Sequence, residues 1–89
     1  MPENAQISDT LAWIEYRKGL YATAARSLQD LVHASPDNAL YRYHLGMVLL
    51  KQGNTAQGRA ALKQALDMKL STREADEAKK ALNALGEKI

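Results

Sequence analysis

The sequence predicts an all-α fold: a short solenoid of two helical hairpins closed by a fifth helix. Three observations predict it. Apolar residues recur at helical spacing along nearly the whole chain. No short window alternates apolar and polar residues with β-branched enrichment, as a half-buried strand would. The chain also repeats itself at a shift of 34 residues: Leu11 meets Leu45, Ala12 meets Gly46, Lys18-Gly19 meets Gln52-Gly53, Ala24 meets Gly58 and Leu28 meets Leu62.

Each element has its own signals. Ile7, Leu11, Trp13, Ile14 and Tyr16 give a first helix over 4–18, ended by the basic-then-glycine stop Lys18-Gly19. Tyr21, Ala24, Ala25, Leu28, Leu31 and Val32 give a second over 21–34, and Ser35-Pro36-Asp37-Asn38 has the composition of a turn. A third helix over 39–52 stops at Gly53-Asn54, and a fourth over 55–69 aligns Gly58, Ala61, Leu62, Ala65 and Leu66 on one face. Ser71-Thr72-Arg73-Glu74 reads as a capping box, Ser71 accepting from the backbone and Glu74 reaching back. The fifth helix, over 72–86, has the inner stripe Ala75, Ala78, Leu82 and Leu85, and its Asp76 and Glu77 point outward. The short connections require neighbouring helices to run roughly antiparallel.

A 34-residue period built on a helix–turn–helix unit resembles the tetratricopeptide repeat. Leu45-Gly46, Gly53, Gly58, Leu62 and Ala65 carry the resemblance in the second copy, and Leu11-Ala12, Gly19, Ala24, Leu28 and the closing Pro36 carry it in the first. The resemblance implies a single domain over 1–89, with repeat one at 5–38, repeat two at 39–71 and a capping helix at 72–86. Its small residues have a physical reason. Where the two helices of a hairpin cross closely, Ala12 and Ala24, or Gly46 and Gly58, leave room, while Leu11, Leu28, Leu45 and Leu62 fill the space around the crossing. The chain departs from the pattern in places. Ser8 and Arg42 stand where an aromatic is expected, Leu70 stands where Pro36 would repeat, and Lys79-Lys80 stands where a third Leu-Gly pair would fall. Residues 9–13 and 43–47 also resemble the last repeats of long bacterial tetratricopeptide proteins. Some of those serve envelope or exopolysaccharide export, including systems that accompany PEP-CTERM sorting. On that resemblance the chain is the C-terminal part of a larger envelope or periplasmic protein. As written, Met-Pro-Glu-Asn has neither the basic nor the apolar region of a signal peptide, which fits the cytoplasm.

Composition bounds the chemistry. With no cysteine, disulfides, thiolate metal sites and a cysteine nucleophile are excluded. Twelve Lys and Arg against ten Asp and Glu leave a net charge of +2, too small and scattered for the clustered basic face nucleic acid requires. A nucleic-acid reading would need Arg59, Lys63, Lys79 and Lys80 on one continuous face. The apolar run Leu45–Leu50 is too short to insert in a membrane. His33 and His44 lie on different helices with no metal-ligand spacing, so His33 reads as a surface residue and His44 as a packing or hydrogen-bonding one. No nucleophile elbow and no phosphate loop occurs. The reading is therefore a non-enzyme with no cofactor, no metal and no small-molecule substrate.

The third helix is the anomaly. From Leu40 to Leu50 only Arg42 and His44 are polar, and a helix apolar nearly all round must be covered on nearly all sides. Tyr41, Leu45, Val48 and Leu49 serve the packing of the repeats, leaving a second stripe of Leu40, Tyr43, Met47 and Leu50. The family resemblance implies that this stripe faces a concave groove, with Trp13 and Tyr16 from the first helix beside it and Asp9, Arg17 and Lys51 at its edges. Aromatic anchors with a polar rim suit a protein or peptide partner. Domains of this family that clamp a C-terminal carboxylate use Lys and Asn at such positions. Asp9, Trp13, Tyr43 and Met47 stand there instead, which favours a hydrophobic segment or an amphipathic helix. Two alternatives stay open on the sequence. A neighbouring part of the protein, or a tail, can cover the stripe permanently. The domain can also be the structural end of a longer solenoid, in which case Ile7, Leu11 and Ile14 form an uncovered outer edge. Bare apolar surface on so small a chain further suggests a weak homodimer through the groove or that edge.

Overall fold

Five helices follow one another: α1 (Pro2–Arg17), α2 (Tyr21–Ala34), α3 (Ala39–Lys51), α4 (Thr55–Asp67) and α5 (Thr72–Ala84). The structure is a computed structural model that describes residues 2–86, and no strand occurs among them. The helix starts after α1 agree with those read from the sequence. Pro2 opens α1 two residues early, a position whose missing N–H is no loss. Four ends fall earlier than expected, α1 and α3 by one residue and α4 and α5 by two. The backbone turns extended at Met68 after α4, and α5 stops at Ala84 before Gly86, whose φ of +88° closes the turn.

The two hairpins share one turn. Gly19 and Gly53, 34 residues apart, have φ of +85° and +87°, a left-handed conformation that glycine enters without steric penalty. At the first turn the Leu20 N–H reaches the Glu15 carbonyl and the Gly19 N–H reaches Tyr16; at the second, Asn54 reaches Leu49 and Gly53 reaches Leu50. Both are Schellman closures, which satisfy carbonyls a helix end would otherwise orphan. Asn38 caps α3, its side chain accepting from the Tyr41 N–H at 3.0 Å. Ser71 caps α5 by accepting from the Glu74 N–H. The returning contact of this box differs from the expected one, because the Ser71 hydroxyl donates to the Glu74 carboxylate.

Two apolar clusters lie on either side of α3. The first joins Ala12, Ala24, Ala25, Leu28 and Leu31 of the first hairpin to Tyr41, Leu45, Val48 and Leu49. The second joins Tyr43 to Leu62 and Ala65 of α4 and to Ala78 and Leu82 of α5. Leu28, Leu62 and Leu82 are fully buried, worth about 1.5–3 kcal/mol apiece. Both hairpins cross where the small residues stand. Ala12 and Ala24 are fully buried, and a Cβ placed on Gly46 would come within 3.1 Å of the Gly58 carbonyl oxygen.

Two expectations are corrected here. Leu11, aligned with Leu45 as a filler of the hairpin interior, is 53 % exposed. Leu45 is buried because α2 lies against it, and nothing among the described residues lies outside α1. The second stripe of α3 does not face an open groove. Leu40, Met47 and Leu50 are partly buried, and Tyr43 buried, in the cluster that α4 and α5 complete. The cover comes from the chain's own α4, on which Leu50 packs, and α5.

Candidate functional site

α1, α3 and α5 frame a cleft of about 280 Å³ lined by Trp13, Tyr43, His44, Arg73, Glu74 and Glu77. Its floor is aromatic. Trp13 stacks on His44 with ring centres 4.1 Å apart and on Tyr16 at 4.5 Å, while Tyr43 tilts against Trp13 at 6.1 Å. Such offset ring pairs hold one another in place beyond the area they bury. Its wall is charged, with two carboxylates and one guanidinium from the first turns of α5.

Beneath the floor lies a polar contact between repeats. His44 Nδ1 is 2.7 Å from Asp9 Oδ1, and both residues are buried. An ionised carboxylate only accepts, so Nδ1 carries the proton in this pair. The contact fixes the ring plane on which Trp13 stacks. The two phenols respond to the site. Burial raises the Tyr16 pKa, helped by neighbouring Tyr21. Burial also raises the Tyr43 pKa, followed by the charges of Glu77 and Glu74 and by Tyr16, with Arg73 opposing.

The expected binding residues therefore separate. Trp13 and Tyr43 line the cleft, with Tyr16 stacked behind Trp13. Asp9, expected at the groove's edge, is buried beneath it because His44 holds it. Leu40, Met47 and Leu50 lie in the interior cluster, and Arg17 and Lys51 are exposed at helix ends away from the lining. Sequence reasoning missed His44, Arg73, Glu74 and Glu77. The signal available was their register. Arg73, Glu74 and Glu77 stand 34 residues beyond Ala39, Leu40 and Tyr43, so α5 takes the place of a third first helix.

Among the described residues no three His, Cys, Asp or Glu side chains gather as a metal site, and no helix is long and apolar enough to cross a membrane. Stacked hairpins whose first helices share a concave cleft define a helical-repeat scaffold. The profile described as Tetratricopeptide repeat matches residues 10–69 and again residues 46–87, the second match running through α5, and the chain belongs to that family. Its members are in general non-catalytic modules for protein interaction. No curated protein and no solved structure matches the chain.

Proposed function

We propose that this domain is a protein-interaction module, without catalytic activity, that binds a short segment of a partner protein in the cleft between α1, α3 and α5. The observation that carries the reading is the aromatic floor of Trp13, Tyr43 and His44 set against the charged turn of α5. The apolar stripe of α3 packs on α4 and α5, so the hydrophobic segment or amphipathic helix that this stripe suggested gives way to a ligand suited to the rings and charges of the cleft. Two carboxylates against one guanidinium favour a segment that brings a Lys or Arg beside an apolar or aromatic side chain. The resemblance of residues 9–13 and 43–47 to bacterial envelope and export proteins supports a partner in such an assembly.

The chain's single tryptophan lies in the cleft and is a built-in probe. The test is a randomised peptide array, followed by fluorescence titration of selected peptides. Selected peptides should be basic, should shift Trp13 emission, and should bind Glu77→Lys about tenfold or more weakly. Acidic or purely apolar selected peptides, or peptides that bind without altering Trp13 emission, would overturn the reading.

A further inference from the structure

We propose that the outer face of α1 is a self-association surface, on which two copies of this chain pair antiparallel, α1 against α1, about a two-fold axis near Leu11. Ile7, Leu11 and Ile14 form one stripe and are 65 %, 53 % and 45 % exposed. The internal repeat shows what kind of surface this is. Thirty-four residues on, the same positions hold Tyr41, Leu45 and Val48, which are buried against α2. The face of α1 is thus shaped to receive a helix. The chain's own candidates are engaged, since the stripe of α2 is packed on α3 and that of α4 on α5.

A further helix of the α2 kind fits this face less well than a second copy does. On α3 the covered face includes a fourth apolar residue, Leu49, and its counterpart on α1 is Glu15. An apolar helix seated as α2 sits on α3 would press against that carboxylate. In the antiparallel register that sets Ile7 opposite Ile14, Glu15, whose Oε1 is buried without a hydrogen-bond partner among the described residues, lies beside Gln6 of the other copy, a neutral amide able to donate to it. The stripe is also close to symmetric about Leu11, with one isoleucine four residues before it and another three after. An antiparallel partner therefore lays Ile7 of one copy beside Ile14 of the other. The lining of the face, Gln6, Ile7, Thr10, Leu11 and Ile14, is uncharged, so two identical faces meet without like-charge repulsion. The Thr10 hydroxyl already donates to the Gln6 carbonyl at 3.1 Å and loses no partner when covered.

The surface is small. Three side chains present roughly a few hundred Å², below the approximately 800 Å² per partner of a lasting complex. The dimer is therefore weak and concentration-dependent. Sedimentation equilibrium of the full chain from micromolar to millimolar concentration is the test. The expected result is a reversible monomer–dimer equilibrium whose dissociation constant rises about tenfold or more in Leu11→Lys, with helical circular dichroism unchanged. If Leu11→Lys loses helical signal, Ile7→Gln at the most exposed position supplies the same reading. The chain lacks cysteine, so Leu11→Cys should oxidise to a linked dimer far faster than Gln57→Cys on the exposed side of α4. A chain that stays monomeric at every concentration, a dimer that survives both α1 substitutions, or equal cross-linking at both sites would overturn the proposal. A synthetic peptide of residues 21–34 that binds the face and keeps the chain monomeric would assign it to an α2-type helix instead.

Discussion

Gly46→Leu should abolish cooperative folding at physiological temperature. A Cβ on Gly46 would stand 2.8 Å from Cγ and Cδ2 of Leu62 and 3.1 Å from the Gly58 carbonyl oxygen. Comfortable carbon contacts lie at about 3.5–4.0 Å. Leu62 is fully buried and has no open space to turn into, and the Gly58 carbonyl belongs to the backbone of α4. The helices must therefore part by roughly half an ångström to an ångström, which forfeits about a quarter to a half of the attraction across the seam. For Gly46→Ala the strain of about 1–3 kcal/mol is offset by about 1 kcal/mol of helix propensity. A net loss near 1 kcal/mol lowers Tm by about 4–8 °C in a domain of this size. Leucine brings three more carbons to the same point, and its penalty exceeds about 3 kcal/mol. Total stability scaled by length is only about 4–13 kcal/mol. The assay is a thermal melt followed by circular dichroism for the parent, Gly46→Ala and Gly46→Leu. A Gly46→Leu melt within a few degrees of the parent would refute the crossing geometry.

Asp9→Ala leaves the His44 Nδ1 proton buried without an acceptor and should cost about 1–3 kcal/mol; urea titration of Asp9→Ala, His44→Ala and the double variant should show strong coupling between them. Leu82→Ala should cost about 2–5 kcal/mol and release α5 first, seen as faster hydrogen exchange over residues 72–84 than over α2. Stability should fall as pH rises above about 10. Tyr16 and Tyr43 hold their protons more tightly when folded, so the unfolded chain ionises first and is favoured as pH climbs from the ordinary tyrosine value through the raised one. Urea midpoints measured at intervals from neutral to strongly alkaline pH test the sign, and a flat profile would contradict it.

The sequence made the fold legible because one period governed turns and crossings together. Gly19 and Gly53 close the same turn, and Ala12, Ala24, Gly46 and Gly58 mark where helices touch. What the period could not carry was position within the stack. Leu11 and Leu45 are equivalent in register, yet one faces outward and the other meets α2, since burial depends on the next element as well as on the residue. The apolar stripe of α3 announced that it needed cover without naming what covers it. The contact between Asp9 and His44 spans 35 residues, and no local pattern distinguishes a polar residue held by a distant partner from one facing water.

The cover that α5 gives to α3 also sets the character of the cleft. Without α5, the face of α3 would present Leu40, Tyr43 and Met47 as an apolar strip next to Leu50, which packs on α4 at Gly58, and that strip would attract any hydrophobic segment. With Ala78 and Leu82 packed against it, the strip is consumed, and only the rings of Tyr43 and His44 remain at the cleft beside Trp13. The same helix then contributes Arg73, Glu74 and Glu77 to the wall. One helix thus removes a nonspecific surface and supplies the charges that can discriminate among partners, since a ligand lacking the matching charge would leave those groups desolvated and unpaired. The Ser71 cap fixes the first turn of α5, where those charges stand, and so links the local stability of that turn to the chemistry the cleft offers.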